Sequence, residues 1–220
     1  MKTVINLFVL IFAISANAQS VQEPINSRTL RAELFEILTL PRDVVMMGDS
    51  LTERGEWSEL LPSSILVANR GIGGDTIGNM LARAAVVLSV HPKRIYVMAG
   101  INDLVHMQER LPMTELLQQY QTLVNTLGSE GAEVIVQSTL FVSTTRAAFV
   151  NPRVAELNAG MKRYCARARC DYIDVNAKLA PRGVLLSKYS GDGVHLAPAG
   201  YLAWARLVSE NLAVGRAAHN

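Results

Sequence analysis

The sequence predicts an α/β fold, a three-layer α/β/α sandwich built around a five-stranded parallel sheet. Five short apolar segments of strand length recur along the chain, several of them continuously apolar, and segments with helical spacing separate them. A strand covered by helices on both faces loses the alternation of polar and apolar residues. Regular alternation of such strands with helices gives a parallel sheet between two helical layers.

The elements follow one another in a simple order. The predicted strands cover residues 44–47, 65–68, 95–99, 134–137 and 172–175. The predicted helices cover residues 27–39, 76–88, 114–127, 151–167 and 198–212. Neither an internal repeat nor a linker rich in proline and glycine divides the chain. We therefore expect residues 19–220 to form one domain.

The first 18 residues have the pattern of a signal peptide. Lys2 precedes an apolar run over residues 4–14, and small residues end the segment at Ala16 and Ala18. A membrane-spanning helix needs roughly 20 apolar residues, more than this run supplies. We expect cleavage after Ala18, a secreted or periplasmic mature protein, and no stable membrane insertion after cleavage.

Composition and cysteine content restrict the function classes. Hydrophobic residues make up 50% of the chain, charged residues 18%, and the net charge is only +2, which favours a packed protein and gives no case for nucleic-acid binding. Cys165 and Cys170 can form a disulfide only if the helix ends between them. With no histidine nearby they do not form a zinc site. We expect no metal and no cofactor, and the sequence indicates no oligomeric state.

Candidate catalytic residues follow the predicted strands. Gly48-Asp49-Ser50-Leu51 comes after the first strand and places Ser50 on a tight turn into a helix. Asp192-Gly193-Val194-His195 precedes the last helix, with the acid and the imidazole one turn apart. Taken singly, each motif also suits an ordinary turn or helix cap.

Two further motifs offer hydrogen-bond donors. Residues 69–76 form a glycine-rich loop that contains Gly74 and fits neither nucleotide-binding pattern. Its ordinary role would be a connection into a helix capped by Asp75 or Thr76. Asn102 follows the third strand and can present a side-chain amide. Because loops after parallel strands open at one sheet edge, these groups can share a pocket with the nucleophile and base, as acyl transfer requires.

The four ordered motifs resemble the SGNH/GDSL hydrolase family over essentially the whole mature chain. Gly55-Glu56-Trp57 and residues 69–72 are similar to the bacterial branch related to platelet-activating-factor acetylhydrolase subunits. The resemblance implies a flavodoxin-like strand order. It also implies that Ser50 is the nucleophile, that His195 is the base and that Asp192 supports His195. The implied oxyanion donors are the backbone N–H groups of Ser50 and Gly74 and the side-chain amide of Asn102.

These features predict a serine ester hydrolase that works through an acyl-enzyme. Short loops favour a short acyl group such as acetyl, carried on a carbohydrate or small molecule. Two alternatives stay open, a lysophospholipase or thioesterase-type acylhydrolase on medium-chain esters and a catalytically silent glycan-binding module. A flavodoxin-like cofactor or phosphoacceptor protein fits poorly with an export signal and a distant Asp-x-x-His motif. Trp57 either packs beside the helix that carries Ser50 or contacts substrate, and we expect packing.

Overall fold

The central sheet has five parallel strands in the order β2-β1-β3-β4-β5. The computed structural model describes residues 26–105, 111–168 and 170–217, so the predicted signal peptide lies outside the described residues. The strands are β1 Val44–Gly48, β2 Val67–Gly71, β3 Arg94–Val97, β4 Glu133–Gln137 and β5 Asp171–Ile173. This order confirms the flavodoxin-like arrangement, with the fully buried β1 next to the centre.

Helices cover both faces of the sheet. Before the sheet comes α1 Ser27–Ile37, and after β1 come α2 Ser50–Glu53 and α3 Trp57–Leu60. One layer contains α4 Ile77–Ala82, α5 Ala84–Leu88, α6 Ile101–Val105, α7 Met113–Leu127 and α8 Ala147–Cys165. The other contains α3, α9 Asn176–Leu179 and α10 Pro198–Ala217, with a 3₁₀ turn at Ser187–Tyr189 against α10. Among the described helices, none is both long and apolar enough to cross a bilayer.

Several element boundaries differ from the predicted ones. Strand β2 extends through Gly71, although residues 69–71 were predicted as loop. Polar residues are tolerated there because their side chains find partners. Asn69 donates to the carbonyl oxygens of Thr52 and Gly55, at the end of α2, and Arg70 donates to Leu38 O.

Two predicted helices also have different bounds. The predicted helix over residues 76–88 is broken at Arg83, whose φ of −111° ends α4 and whose guanidinium turns toward the sheet edge. Helix α8 begins at Ala147, four residues before the predicted start, and contains Pro152. The side chain of Asn151 bonds Val142 N and O and Gly183 O, which ties the beginning of α8 to two loops.

A cluster of aromatic side chains packs beside α2. Trp57 is 1% exposed and meets Trp204 edge-on, with 4.7 Å between ring centroids. Its Nε1 donates to Thr52 O at 2.8 Å, while the Tyr201 hydroxyl donates to Leu51 O at 2.9 Å. Trp57 therefore packs against the helix that carries Ser50, as predicted.

Cys165 and Cys170 form a disulfide with their Cα atoms 4.9 Å apart. The bond is possible because α8 ends at Cys165 and β5 begins at Asp171, so the two cysteines do not share one continuous helix. The bridge lies at the amino end of β5, at the opposite edge of the sheet from the loop that carries Ser50.

Candidate active site

Ser50 lies on a sharp turn from strand to helix. Asp49 caps α2, with its Oδ1 accepting the backbone N–H of Leu51 at 2.9 Å, and Ser50 is the first helical residue. The turn needs glycine at position 48, since a Cβ there would lie 2.2 Å from Thr52 Oγ1 and 2.8 Å from Met98 O. The local sequence thus places a hydroxyl at the carboxyl edge of the sheet.

The structure brings Ser50, His195 and Asp192 into one hydrogen-bonded chain. Ser50 Oγ lies 3.1 Å from His195 Nε2, and His195 Nδ1 lies 2.7 Å from Asp192 Oδ2. A carboxylate only accepts hydrogen bonds, so the ring proton lies on Nδ1 and Nε2 is free to accept the serine proton. This arrangement suits proton transfer from the hydroxyl to the imidazole.

Asp192 is also held by the backbone of its own turn. Its Oδ1 accepts the N–H groups of Val194 at 2.9 Å and His195 at 2.7 Å. Burial opposes the charge, but the bonds from the His195 ring and from these two backbone groups keep the pKa of the Asp192 carboxyl well below its ordinary value. The carboxylate therefore stays charged beside the imidazole.

Gly74 lies in a short loop, residues 72–75, which we call the glycine loop. The loop starts where Ile72 N–H donates to Gly48 O at 3.0 Å, next to the turn of Ser50, and Asp75 N–H closes it on Ile72 O at 3.1 Å. Gly74 has a φ of +77°, a conformation that favours glycine. A Cβ on the neighbouring Gly73 would lie 3.7 Å from Ser50 Cβ, so this loop borders Ser50.

Asn102 lies on α6, directly after β3, and is 8% exposed. Its Nδ2 donates to the backbone oxygen of Asp75 at 2.9 Å. A backbone carbonyl only accepts, so this bond identifies the amide nitrogen and sets the direction of its second N–H. Gly74 and Asn102 are thus joined through Asp75.

Of the two predicted caps of this helix, Asp75 and Thr76, it is Thr76 that caps α4, and the Asp75 carboxylate has other partners. Asp75 is 1% exposed and binds Arg83 Nε at 2.7 Å and Arg28 Nη2 at 2.5 Å. Burial raises the pKa of Asp75, and the two guanidinium groups oppose that shift. Arg83 also donates to Gly48 O at 3.1 Å, which joins the glycine loop to the end of β1.

Two more buried aspartates lie behind the site. Asp103 accepts Ile77 N–H with both oxygens, at 3.3 and 3.1 Å. Burial raises the pKa of Asp49 to about 7, and Asp75 and Asp103 add to the effect, whereas the Leu51 N–H opposes it. The sequence motifs did not predict the interactions among these three aspartates, because the residues come close to one another only in the folded chain.

No group of three or more metal-binding side chains occurs within residues 26–105, 111–168 and 170–217. The groups that the structure brings together at the carboxyl edge are a hydroxyl, an imidazole with its carboxylate, and nearby amide donors.

Residues 46–203, more than half of the chain, match the family model described as the GDSL-like Lipase/Acylhydrolase family. No curated protein sequence matches the chain significantly.

Solved structures share the fold at low sequence identity. A GDSL-like lipase from Bacteroides thetaiotaomicron is 20% identical, with a TM-score of 0.72 over 86% of this chain and 98% of that one. A protein from Streptococcus pneumonia, whose description names platelet activating factor, is 24% identical, with a TM-score of 0.71 over 84% and 90%. A mutant of Axe2, an acetyl-xylooligosaccharide esterase from Geobacillus, is 17% identical, with a TM-score of 0.64 over 77% and 93%.

Proposed function

Since this chain belongs to the GDSL-like lipase/acylhydrolase family, we propose that it hydrolyses carboxylic esters with Ser50 as the nucleophile. The observation that carries the proposal is the hydrogen-bonded chain in which Ser50 Oγ lies 3.1 Å from His195 Nε2 and His195 Nδ1 lies 2.7 Å from Asp192. A nucleophile, a base and a group that orients the base are the parts that covalent acyl transfer needs.

The acylation step uses these groups in order. His195 Nε2 takes the proton of Ser50 while Oγ bonds to the ester carbonyl carbon, and the carbonyl electron pair moves onto oxygen. Amide donors from Ser50, Gly74 and Asn102 stabilise that oxyanion. When the intermediate collapses, the C–O bond to the alcohol breaks and the imidazolium gives its proton to the leaving oxygen.

Deacylation repeats the sequence with water. His195 takes a proton from a water molecule, which attacks the acyl-enzyme carbonyl, and the same donors hold the second oxyanion. Collapse returns the proton to Ser50 Oγ and releases the carboxylic acid. Asp192 stabilises the imidazolium in both halves of the reaction.

For the substrate, we propose a short acyl group, acetyl in particular, on a carbohydrate or other small molecule. An acetyl-xylooligosaccharide esterase among the structures that share this fold supports the choice. The alternatives of medium-chain esters and of a silent glycan-binding module are separate outcomes of the same experiment.

The test is hydrolysis of p-nitrophenyl esters of increasing chain length, alongside acetylated xylo-oligosaccharides, by the wild type, Ser50→Ala and Ser63→Ala. Ser63 is exposed and serves as the matched control. We expect Ser50→Ala to lose at least a thousandfold in turnover and Ser63→Ala to keep full activity. A steep fall beyond acetyl supports the short-chain proposal, and a maximum at medium chains favours an acylhydrolase. No hydrolysis of any of these esters by the wild type favours the silent glycan-binding module, and Ser50→Ala as active as wild type contradicts the mechanism.

We also propose that the chain is exported and that residues 1–18 are removed. The Cys165–Cys170 disulfide supports export, because disulfides persist in oxidising compartments. Mass spectrometry of the protein expressed in a bacterial host with its leader should find a mature chain beginning at Gln19. A cytoplasmic protein that retains Met1 or Lys2 would contradict this proposal.

A further inference from the structure

Helix α1, Ser27–Ile37, precedes the region that matches the family model, which begins at residue 46. It nevertheless reaches the candidate active site through two arginines, Arg28 and Arg31, which lie one helical turn apart. Each arginine contacts a carboxylate, and each carboxylate is tied to the glycine loop. The two sets of contacts fall on either side of Gly74.

The first set runs through Asp75, the residue after Gly74. Arg28 Nη2 lies 2.5 Å from Asp75 Oδ1, and Arg83 Nε lies 2.7 Å from Asp75 Oδ2. Both carboxylate oxygens are therefore paired. The backbone oxygen of the same residue accepts the amide of Asn102. Holding the Asp75 side chain thus also holds the carbonyl that orients this candidate oxyanion donor.

The second set runs through Glu53, one turn after Ser50 on α2. The backbone N–H of Gly73, the residue before Gly74, donates to Glu53 Oε2. Arg31 Nε lies 3.6 Å from Glu53 Oε1 and donates to Gly71 O at 2.6 Å. One guanidinium therefore contacts both the last residue of β2, directly before the glycine loop, and the carboxylate that binds Gly73 within the loop.

Gly74 itself has little to hold it in place. It has no side chain, its φ is +77°, and a Cβ at this position would meet nothing within 4 Å. The direction of its N–H depends on the positions of its neighbours, Gly73 and Asp75. Gly73 is held by the Glu53 carboxylate, and Asp75 is held through its own carboxylate by Arg28 and Arg83. Misplacing a catalytic group by about 1 Å can cost about a hundredfold in rate.

We propose that Arg28 and Arg31 are positioning residues for the Gly74 and Asn102 oxyanion donors, so that α1 is a working part of the active site. This inference rests on the proposed ester hydrolysis and adds to it residues that lie outside the matched domain. Neither arginine touches the substrate in this account. They act through Asp75 and Glu53.

The experiment compares R28Q, R31Q and the double variant with wild type and with Glu33→Gln, an exposed control on the same helix. The measurements are kcat and KM on p-nitrophenyl acetate, the melting temperature, and the rate at which a fluorophosphonate modifies Ser50, followed by intact mass. A fourth measurement is amide hydrogen exchange in peptides covering the glycine loop. R28K, which keeps the charge, tests rescue.

We expect the double variant to lose about 10- to 100-fold in kcat and in phosphonylation rate at temperatures well below melting, with KM changed less than about threefold. Exchange in the glycine loop should rise, E33Q should match wild type, and R28K should recover most of the turnover lost in R28Q. If the double variant does not fold, the single variants are judged by the same criteria.

Three results would overturn the inference. A lower melting temperature with unchanged kcat would make α1 a structural element only. A raised KM with unchanged kcat would make the arginines substrate-binding groups. Unchanged exchange in the glycine loop would contradict the coupling even if activity fell. A wild-type protein whose Ser50 does not react with the fluorophosphonate would instead contradict the proposed function, and the exchange measurement would still judge the contacts of α1.

Discussion

Asp192 holds His195 at two points, the ring Nδ1 through Oδ2 and the backbone N–H through Oδ1, both at 2.7 Å. The double contact fixes the position of the residue as well as the tautomer of its ring. Because donors surround the carboxylate, the pKa of Asp192 lies below its ordinary value and the group stays ionised at neutral pH.

Asp192→Asn should therefore lower kcat by roughly 10²- to 10⁴-fold, because an amide can bind the imidazole in the wrong tautomer. Asp174→Asn is the matched control, since Asp174 also accepts a backbone N–H three residues later, from Ala177, outside the site. Steady-state kinetics on an activated ester measures both. Equal kcat for Asp192→Asn and wild type would exclude the proposed role of this carboxylate.

Asn102→Ala should lower kcat by about a hundredfold or more, because one oxyanion donor is lost. The variant also loses the bond to Asp75 O, so we expect a small fall in melting temperature that leaves the protein folded at 25 °C. Asn211→Ala removes an asparagine that accepts the Tyr96 hydroxyl away from the site, and should keep full turnover. A similar loss of turnover in both variants would argue against a specific role for Asn102.

Because the Asp49 carboxyl is buried, its loss of a proton as the pH rises should lower the free energy of unfolding. The folded chain holds the Asp49 proton up to about pH 7, whereas the unfolded chain releases it near 3.8. Between these values the folded state binds more protons, so the free energy of unfolding falls with rising pH, by about 2 to 4 kcal/mol from this group. Asp75 and Asp103, whose pKa values are also raised, act in the same direction.

Urea denaturation at pH 5 and pH 8 measures the effect, with Asp49→Asn as the comparison. The amide oxygen can still accept Leu51 N–H, so the helix cap is kept. We expect the variant to lose clearly less stability than wild type between the two pH values. Identical losses in the two proteins would show that Asp49 does not titrate in this range.

The sequence pattern was sufficient to predict a parallel sheet and the residues at its carboxyl edge, whereas the strand order came from the family resemblance. Apolar runs indicate the buried strands. Ser50 follows the first strand in a Gly-Asp-Ser-Leu motif, and His195 precedes the last helix in an Asp-x-x-His motif. The fold then brings these two residues together, although 145 positions separate them along the chain.

What the sequence did not reveal are contacts that depend on exact element ends. Arg83 reaches Asp75 because α4 stops at Ala82, and no periodicity marks that break within an apolar helix. The arginines of α1 look like ordinary surface residues until the helix is placed beside β2. Long-range pairing of charges has no local sequence signal, so these interactions required the fold.

The disulfide should stabilise the fold without affecting catalysis. It closes a loop of only five residues at the sheet edge opposite Ser50, so the Cys165→Ser, Cys170→Ser double variant should lose about 1 to 2 kcal/mol of unfolding free energy. Its kcat should equal that of wild type. Denaturation with and without a reductant measures the loss, and unchanged stability in the variant would contradict the expectation.

The Gly74→Ala substitution tests the effect of backbone conformation at this position without adding a steric clash. An added methyl group has room, since nothing lies within 4 Å of the position, but a φ of +77° costs an L-residue roughly 1 to 2 kcal/mol. Relaxing that strain turns the peptide plane and moves the N–H that is proposed to bind the oxyanion. We expect kcat to fall at least about tenfold with little change in KM.

Gly131→Ala is the matched control. Gly131 has a φ of +90°, also has nothing within 4 Å, and precedes β4 at the opposite edge of the sheet. The melting temperature should fall by a similar amount in both variants, because placing alanine at a positive φ costs a similar free energy at either position. Only Gly74→Ala should lose turnover. If the two lose stability equally and both keep full kcat, the N–H of Gly74 does not bind the oxyanion, and the stabilisation must come from the Ser50 and Asn102 donors alone.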